Sequence, residues 1–241
     1  LSGGNAGDIF VNGNSLFISD GGAIASTSLG SGSSGQVRIY NNQTTIQGDN
    51  PAGIYSNINA GTFGTGDGKT LILETQRLEL LAGGSISGSS VFVGNGGDVD
   101  VKAGESIYIS GRSRLNPSSI QSSSIYLDPF LRQIFGLPNI LTANAGNVRI
   151  TTPKLTIDDG GSINVTNEGD GNGGSINIQA NTIKLKNQAV IDAKTASGNG
   201  GDIFFNVSNL LLLQNNSQIT ATANGNGNGG NITVNSSIIA G

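Results

Sequence analysis

The sequence predicts an all-β protein: a right-handed parallel β-helix of about eight coils, each of about 28 residues with three short strands. A short apolar motif returns at a nearly constant interval, and apolar and polar residues alternate within the runs between its occurrences. The composition agrees, because 39 of 241 residues are Gly while 35% of the chain is hydrophobic. We expect residues 1–241 to form one such domain, as a fragment of a longer chain.

The first strand of each coil is marked by a glycine and a polar residue followed by an apolar-x-apolar run, as in GDIFV at 7–11 and GNVRI at 146–150. We call the first apolar residue of each motif its anchor. Successive anchors are 28, 34, 28, 49, 28, 27 and 29 residues apart, so five of the seven intervals lie within one residue of 28. A propeller blade would need about four strands and 40 or more residues, so stacked coils fit better. The anchors are Ile9, Val37, Leu71, Val99, Val148, Ile176, Ile203 and Ile232.

Two further apolar runs follow each anchor, and they predict the second and third strands. Alternation within each run indicates a strand with one buried face. The second run is placed at Leu16, Thr44, Leu78, Ile107, Leu155, Ile183, Leu210 and Ile239, and the third at Ile24, Ile86, Ile163, Ile191 and Ile219.

The residues between these runs predict the corners of the coil. Most corners after the second strand are Gly-Gly or Asn-Asn pairs, at 21–22, 83–84, 160–161 and 215–216. Gly and Asn adopt positive φ at low cost, as a sharp corner requires. The turns after the third strand are long and rich in Gly and Asn, as at 224–228.

Two intervals are longer and predict insertions. One adds about six residues around 49–65, and the other adds about 21 within 116–144. The segment LDPFLRQIFG at 127–136 predicts a short helix, since its Asp-Pro suits a helix start and its Gly a helix end. This helix either packs against the coil wall or docks a partner. The apolar side chains that would do so are Tyr126, Phe130, Leu131, Ile134 and Phe135.

Missing residue types exclude several kinds of site. Without Cys or His, the chain has no disulfide, no thiolate or histidine metal site and no Ser-His-Asp triad. A pI near 4.7 and only 12 Lys and Arg residues disfavour nucleic acid as a partner. No apolar stretch approaches the ~18 residues of a membrane span. The Gly-rich loop at 167–174 lacks the regular Asp spacing of calcium-binding turns, so we expect no metal and no cofactor.

One carboxylate pair deserves consideration as a catalytic site. Asp98 and Asp100 lie on one face of a strand, about 6.6 Å apart, a separation compatible with an inverting glycosidase. Arg149 is expected to neutralise Asp100 from the next coil, so we expect no enzyme activity. The residue before each anchor is polar in all eight coils, which predicts a ladder that caps a turn. These residues are Asp8, Gln36, Thr70, Asp98, Asn147, Ser175, Asp202 and Asn231.

Three segments carry a resemblance to a known family: GNGGDVDV at 94–101, DGGSINVT at 159–166 and GNGGDIFF at 198–205. They resemble the repeats of filamentous-haemagglutinin-like exoproteins, which are bacterial two-partner-secretion passengers. The resemblance covers nearly the whole chain except 116–144. It implies export through an outer-membrane secretion β-barrel and a location that is secreted or on the cell surface.

These observations together predict a structural or adhesive surface protein, such as a stalk, filament or extracellular matrix component. Open strand edges at both ends predict self-association into filaments, and surface glycans or other surface proteins are candidate partners. Two alternatives remain. One is a carbohydrate-binding or polysaccharide-processing β-helix, although the outward aromatics Phe10, Tyr108 and Phe204 fall in different columns or distant coils. The other is a partner-docking module that uses the insertion at 116–144.

Overall fold

A computed structural model describes residues 3–125, 130, 133–134 and 142–241. Within this part of the chain, eighteen β-strands form two sheets, and every strand pairs with its neighbours in parallel. The predicted all-β class with parallel strands is confirmed. We number the repeats 1 to 8 by their anchors, from Ile9 to Ile232.

Sheet A contains the first and second predicted strands of each repeat. Its main order is β1-β4-β7-β10-β12-β14-β16-β18, with β2 and β5 alongside, and from repeat 3 onward the two predicted strands form one long strand. The strands are β1 (Ile9–Asn12), β2 (Ser15–Ile18), β4 (Val37–Tyr40), β5 (Gln43–Gln47), β7 (Leu71–Leu81), β10 (Val99–Ser110), β12 (Val148–Asp158), β14 (Ile176–Leu185), β16 (Ile203–Leu213) and β18 (Ile232–Ala240).

Sheet B contains the third strand of repeats 1 to 7, in the order β17-β15-β13-β11-β8-β6-β3, and the short β9 also pairs with β11. Its strands are β3 (Ala23–Ala25), β6 (Asn57–Asn59), β8 (Ser85–Ser87), β9 (Ser90–Val91), β11 (Ser119–Ile125), β13 (Ser162–Asn167), β15 (Val190–Thr195) and β17 (Gln218–Ala223).

The register of both sheets places equivalent residues of successive repeats side by side. The anchor Val99, for example, lies between Leu71 and Val148. Anchors in repeats 2 to 7 are completely buried, because their side chains point into one core shared by both sheets. On the sheet B side, this core contains a column of isoleucines, with smaller side chains such as Val165 and Ala193 beside it. The column consists of Ile24, Ile58, Ile86, Ile120, Ile163, Ile191 and Ile219.

Two members of that column, Ile58 and Ile120, were missed in the sequence. Each lies 21 residues after its anchor instead of about 15, because the corner between the second and third strands is longer in repeats 2 and 4. Strand β11 therefore belongs to sheet B, although the predicted insertion at 116–144 includes it. The extra residues of repeat 4 are divided between this corner and the segment after Ile125.

One predicted core position was wrong. Leu210 was placed in the inward column, but a register shift between Val207 and Leu210 puts Leu211 there, beside Ile183. Leu211 is buried, while Leu210 is only partly so. The shift also changes the neighbour of Ile239, which pairs with Leu211.

The turns also stack. Backbone hydrogen bonds join each turn to the next repeat, as between the N–H of Gly173 and the carbonyl of Asn199, 2.9 Å apart. The predicted corner geometry is confirmed, since Gly21, Gly83, Gly160 and the 215–216 pair have positive φ. Gly and Asn are thus concentrated where the chain bends and where adjacent backbones meet.

The two end strands of sheet A have a partner strand on one side only among the described residues: β1 pairs with β4, and β18 with β16. Ile232, Ile238 and Ile239 of β18 are exposed. The expected self-association through such edges stays a prediction.

Candidate functional site

The apolar residues predicted to form a docking face lie mostly outside the described residues: this applies to Tyr126, Leu131 and Phe135. Phe130 and Ile134 are described, have helical backbone conformation and are 67% and 60% exposed. Whether the five side chains share one face stays a prediction.

The polar residues before the anchors form the predicted ladder at four of the seven steps between repeats, where Asp8, Asp98, Asn147 and Asp202 accept a backbone hydrogen bond from the next repeat. The Asp98 Oδ1 accepts a hydrogen bond from the backbone N–H of Asn147 at 2.8 Å, and the Asn147 Oδ1 accepts one from the N–H of Ser175 at 2.9 Å. The N–H of Asn231 donates to the Asp202 Oδ1 at 2.7 Å in the same way. Each such bond satisfies a backbone donor that no strand partner reaches, so these residues have a structural role.

A second ladder, four residues before the anchors, was missed. The N–H of Asn95 donates to the Asp67 Oδ1, that of Asn144 to the Asn95 Oδ1, and that of Asn172 to the Asn144 Oδ1, at 2.8–2.9 Å. The signal was present in the sequence, because an Asn, Asp or Ser recurs at this position in every repeat. The full set is Asn5, Ser33, Asp67, Asn95, Asn144, Asn172, Asn199 and Asn228.

Arg149 binds both members of the candidate carboxylate pair. Its Nη1 donates to the Asp98 Oδ2 at 2.9 Å and to the Asp100 Oδ1 at 3.1 Å. Strand pairing explains the second contact, since Asp100 and Arg149 are register partners in β10 and β12. The expected contact with Asp100 is confirmed, and the contact with Asp98 was not foreseen.

The environment of Asp98 does not suit a general acid. Partial burial raises its pKa, but the N–H of Asn147 and the guanidinium of Arg149 outweigh that effect, so the pKa lies below its ordinary value of 3.8. A glycosidase acid needs a raised pKa to remain protonated near neutral pH. The geometry instead describes a surface ion-pair cluster that joins repeats 4 and 5.

We expect Asp98→Asn to lower the free energy of unfolding at pH 7 by less than about 1 kcal/mol, because the lost ion pair is partly exposed. Folding lowers this pKa, so the stabilisation is present above the unfolded pKa and is lost as the pH falls through the folded value. Urea unfolding at pH 7 and pH 3 measures both effects. Asp159→Asn, at an exposed corner, is the control. A difference between Asp98→Asn and the unsubstituted chain that is as large at pH 3 as at pH 7 would contradict the ion-pair explanation.

The pKa of Asp192 on sheet B is shifted in the opposite direction to that of Asp98. Burial raises its pKa, and the ammonium of Lys194, 3.9 Å away, offsets this only in part. Folding therefore disfavours the ionised form, and stability falls as the pH rises from the unfolded pKa through the folded one. We expect Asp192→Asn to stabilise the protein at pH 7 and to have no effect below both pKa values. A thermal-melting series from pH 3 to pH 7 tests this, and an unchanged melting temperature at pH 7 would refute it.

The outer face of sheet A carries two clefts. One, of about 270 Å³, is lined by residues that include Tyr40, Glu74, Gln76 and Lys102. The other, of about 310 Å³, includes Phe204 together with Arg149, Thr151, Asn177, Gln179 and Asn206. Next to the first cleft, the rings of Phe10 and Tyr40 lie 5.7 Å apart between centroids. This pair was missed in the sequence, where Phe10 and Tyr40 occupy different positions relative to their anchors.

Among the described residues, no three Asp or Glu side chains are grouped closely enough to hold a metal ion. No helix in the same part of the chain is long and apolar enough to cross a membrane. The fold defines a parallel β-repeat protein whose outer face of sheet A is its best candidate binding surface. Comparison with family models, curated proteins and solved structures finds no match. The family resemblance seen in the sequence stays a prediction.

Proposed function

We propose that the chain is a right-handed parallel β-helix segment of a secreted or cell-surface protein, with a structural or adhesive role. Seven strand-to-strand steps of about 4.8 Å make a rod of roughly 34 Å from these eight repeats. The ladder residues Asp8, Asp98, Asn147 and Asp202 each accept a hydrogen bond from the next repeat, so the architecture favours extension along one axis.

The proposal rests on one observation: successive repeats are hydrogen-bonded to each other in every part of the coil. Sheet A, sheet B and the turns are each joined by hydrogen bonds to the next repeat. Such an assembly gains stability by adding repeats and keeps a constant cross-section. These are the properties of a stalk or fibre that holds a binding surface away from a cell.

Export fits the composition. The resemblance to two-partner-secretion passengers supports a route through an outer-membrane β-barrel. A chain without Cys forms no disulfide in an oxidising compartment, so no disulfide would obstruct its passage through a pore in the unfolded state.

Labelling of intact cells tests the proposed location. An epitope placed in the exposed turn at 224–226 should be accessible to antibody on unpermeabilised cells that express the full gene. Deleting the gene should reduce attachment of these cells to surfaces or to each other. Labelling only after permeabilisation would refute the surface location, and unchanged attachment would refute the adhesive role.

A further inference from the structure

One column of side chains on the outer face of sheet A differs from the ladders in the turns. Its members occupy the third position after the anchor in repeats 2 to 7, and each is the register partner of the next. We call it the open column; it consists of Tyr40, Glu74, Lys102, Thr151, Gln179 and Asn206.

All six side chains of the open column carry polar groups, yet none makes a hydrogen bond or ion pair with the described part of the chain. Glu74 and Lys102 are register partners of opposite charge and still form no ion pair within 4.0 Å. Asp98 and Asn147, in the turns, are by contrast bonded to adjacent repeats. The open column therefore has its hydrogen-bonding capacity available to a ligand.

Aromatic rings lie at both ends of this column. Phe10, 67% exposed, contacts Tyr40 in the neighbouring repeat. Phe204, 40% exposed, lines the cleft that also contains Gln179 and Asn206. Tyr40 and Asn206 are five strand steps apart, about 24 Å. The surface is thus an elongated polar strip with an aromatic platform at each end.

A β-bulge between β7 and β10 changes the shape of this strip near Gly104. The register between β7 and β10 shifts between Ala103 and Ser106, and Gly104 lies at this shift. A side chain on Gly104 would collide with the amide of Gln76, so the missing side chain leaves room for that amide beside the cleft. Bulges often redirect side chains at binding sites.

This combination matches the chemistry of a sugar chain. The C–H faces of sugar rings pack on aromatic rings, while their hydroxyl groups bond amides, hydroxyls, carboxylates and ammonium groups. An extended glycan advances per sugar by a distance close to the strand spacing of about 4.8 Å, so successive sugars can meet successive repeats. A peptide strand would require an open sheet edge, whereas the strip is a sheet face.

The charges on the strip favour an uncharged glycan. Glu74 and Lys102 carry opposite charges, and the exposed Arg38 beside Tyr40 adds one cation, whereas Arg149 on the same face is already bound to Asp98 and Asp100. The strip thus has one net positive charge over six repeats. A sulfated or acidic polymer needs an excess of free cationic groups, as phosphate binding does.

We propose that the open column and its flanking aromatics bind an extended, uncharged glycan along the axis of the repeats. This inference rests on the adhesive function proposed above and names the class of its ligand. Each repeat contributes one polar side chain, and Phe10, Tyr40 and Phe204 contribute the stacking surfaces.

Calorimetry with the purified 241-residue chain tests the inference without reference to cell location. The probes are the uncharged hexasaccharides of β-1,4-glucan and β-1,3-glucan, and a sulfated hexasaccharide from heparin. We expect at least one uncharged probe to bind more tightly than the sulfated one. Tyr40→Ala and Gln179→Ala should each weaken its binding by about tenfold. Lys184→Ala, on the same sheet face but outside the column, is the matched control and should leave binding unchanged.

Circular dichroism and thermal melting of each variant show that a loss of binding does not reflect unfolding. Binding of the sulfated probe alone, or a loss of binding equal in Lys184→Ala and Tyr40→Ala, would overturn the inference. Failure of every probe to bind would overturn it as well, while surface labelling and attachment of cells would still stand as tests of the adhesive function.

Discussion

Replacing Gly201 by Ala should destabilise the protein by more than about 3 kcal/mol, a larger effect than most overpacking substitutions produce. A Cβ on Gly201 would overlap the carbonyl oxygen of Gly174 in the preceding repeat, and it would also lie 3.2 Å from the Cβ of Ala193. The first obstacle is backbone, so no rotamer change relieves it. The strands of two repeats would have to separate and lose hydrogen bonds.

The equivalent glycine of repeat 1 provides a matched control. Gly7 occupies the same position relative to its anchor, and nothing lies within 4 Å of a Cβ built there. Neither glycine has a positive φ, so backbone conformation does not distinguish them. Gly7→Ala should change stability by no more than about 0.5 kcal/mol.

Guanidinium unfolding followed by circular dichroism measures both variants. A clear loss of stability in Gly201→Ala with little change in Gly7→Ala is the expected pattern. If Gly201→Ala unfolds at the same denaturant concentration as the unsubstituted chain, the close approach of the two turns does not limit the structure.

The spacing of apolar residues was sufficient to predict which strands are neighbours, because residues one period apart in the sequence become register partners when parallel strands stack. It was insufficient to place strands in repeats whose corners contain extra residues. Ile58 and Ile120 lie six residues later than the period predicts, because a corner on the surface tolerates extra residues without disturbing the core. The run of four leucines at 210–213 contains no alternation, so only the bulge before it decides that Leu211 points inward.

The surface was harder to predict for a different reason. The ladder containing Asp98 was visible because its members are polar at a fixed position, and the bonds it makes follow from the stacking. The pairing of Phe10 with Tyr40 requires two rings two positions apart in register to lean toward each other, which depends on side-chain rotamers. The side chains of the open column are available to a ligand because they form no hydrogen bonds with the described part of the chain. The spacing of residues in a sequence does not predict which hydrogen bonds are absent.

Two adjacent phenylalanines in β16 should differ strongly when each is replaced by Ala. Phe205 is 1% exposed and lies in the core between Ile178 and Val234 of the neighbouring repeats. Its removal leaves a cavity bounded by two strands that are fixed by hydrogen bonds, so the site can collapse only partly. We expect Phe205→Ala to lower the free energy of unfolding by about 3–5 kcal/mol.

Phe204→Ala is the control at the neighbouring position, since alternation along the strand points Phe204 outward. It should cost less than about 1 kcal/mol, because the side chain remains partly in water in the folded state. Unfolding curves for the two variants would contradict the assigned faces if the losses were equal or reversed. The same pair separates stability from binding. Phe204→Ala should weaken binding of the uncharged glycan while leaving the fold intact, because the ring that packs in the core and the ring available to a ligand belong to consecutive residues on opposite faces of one strand.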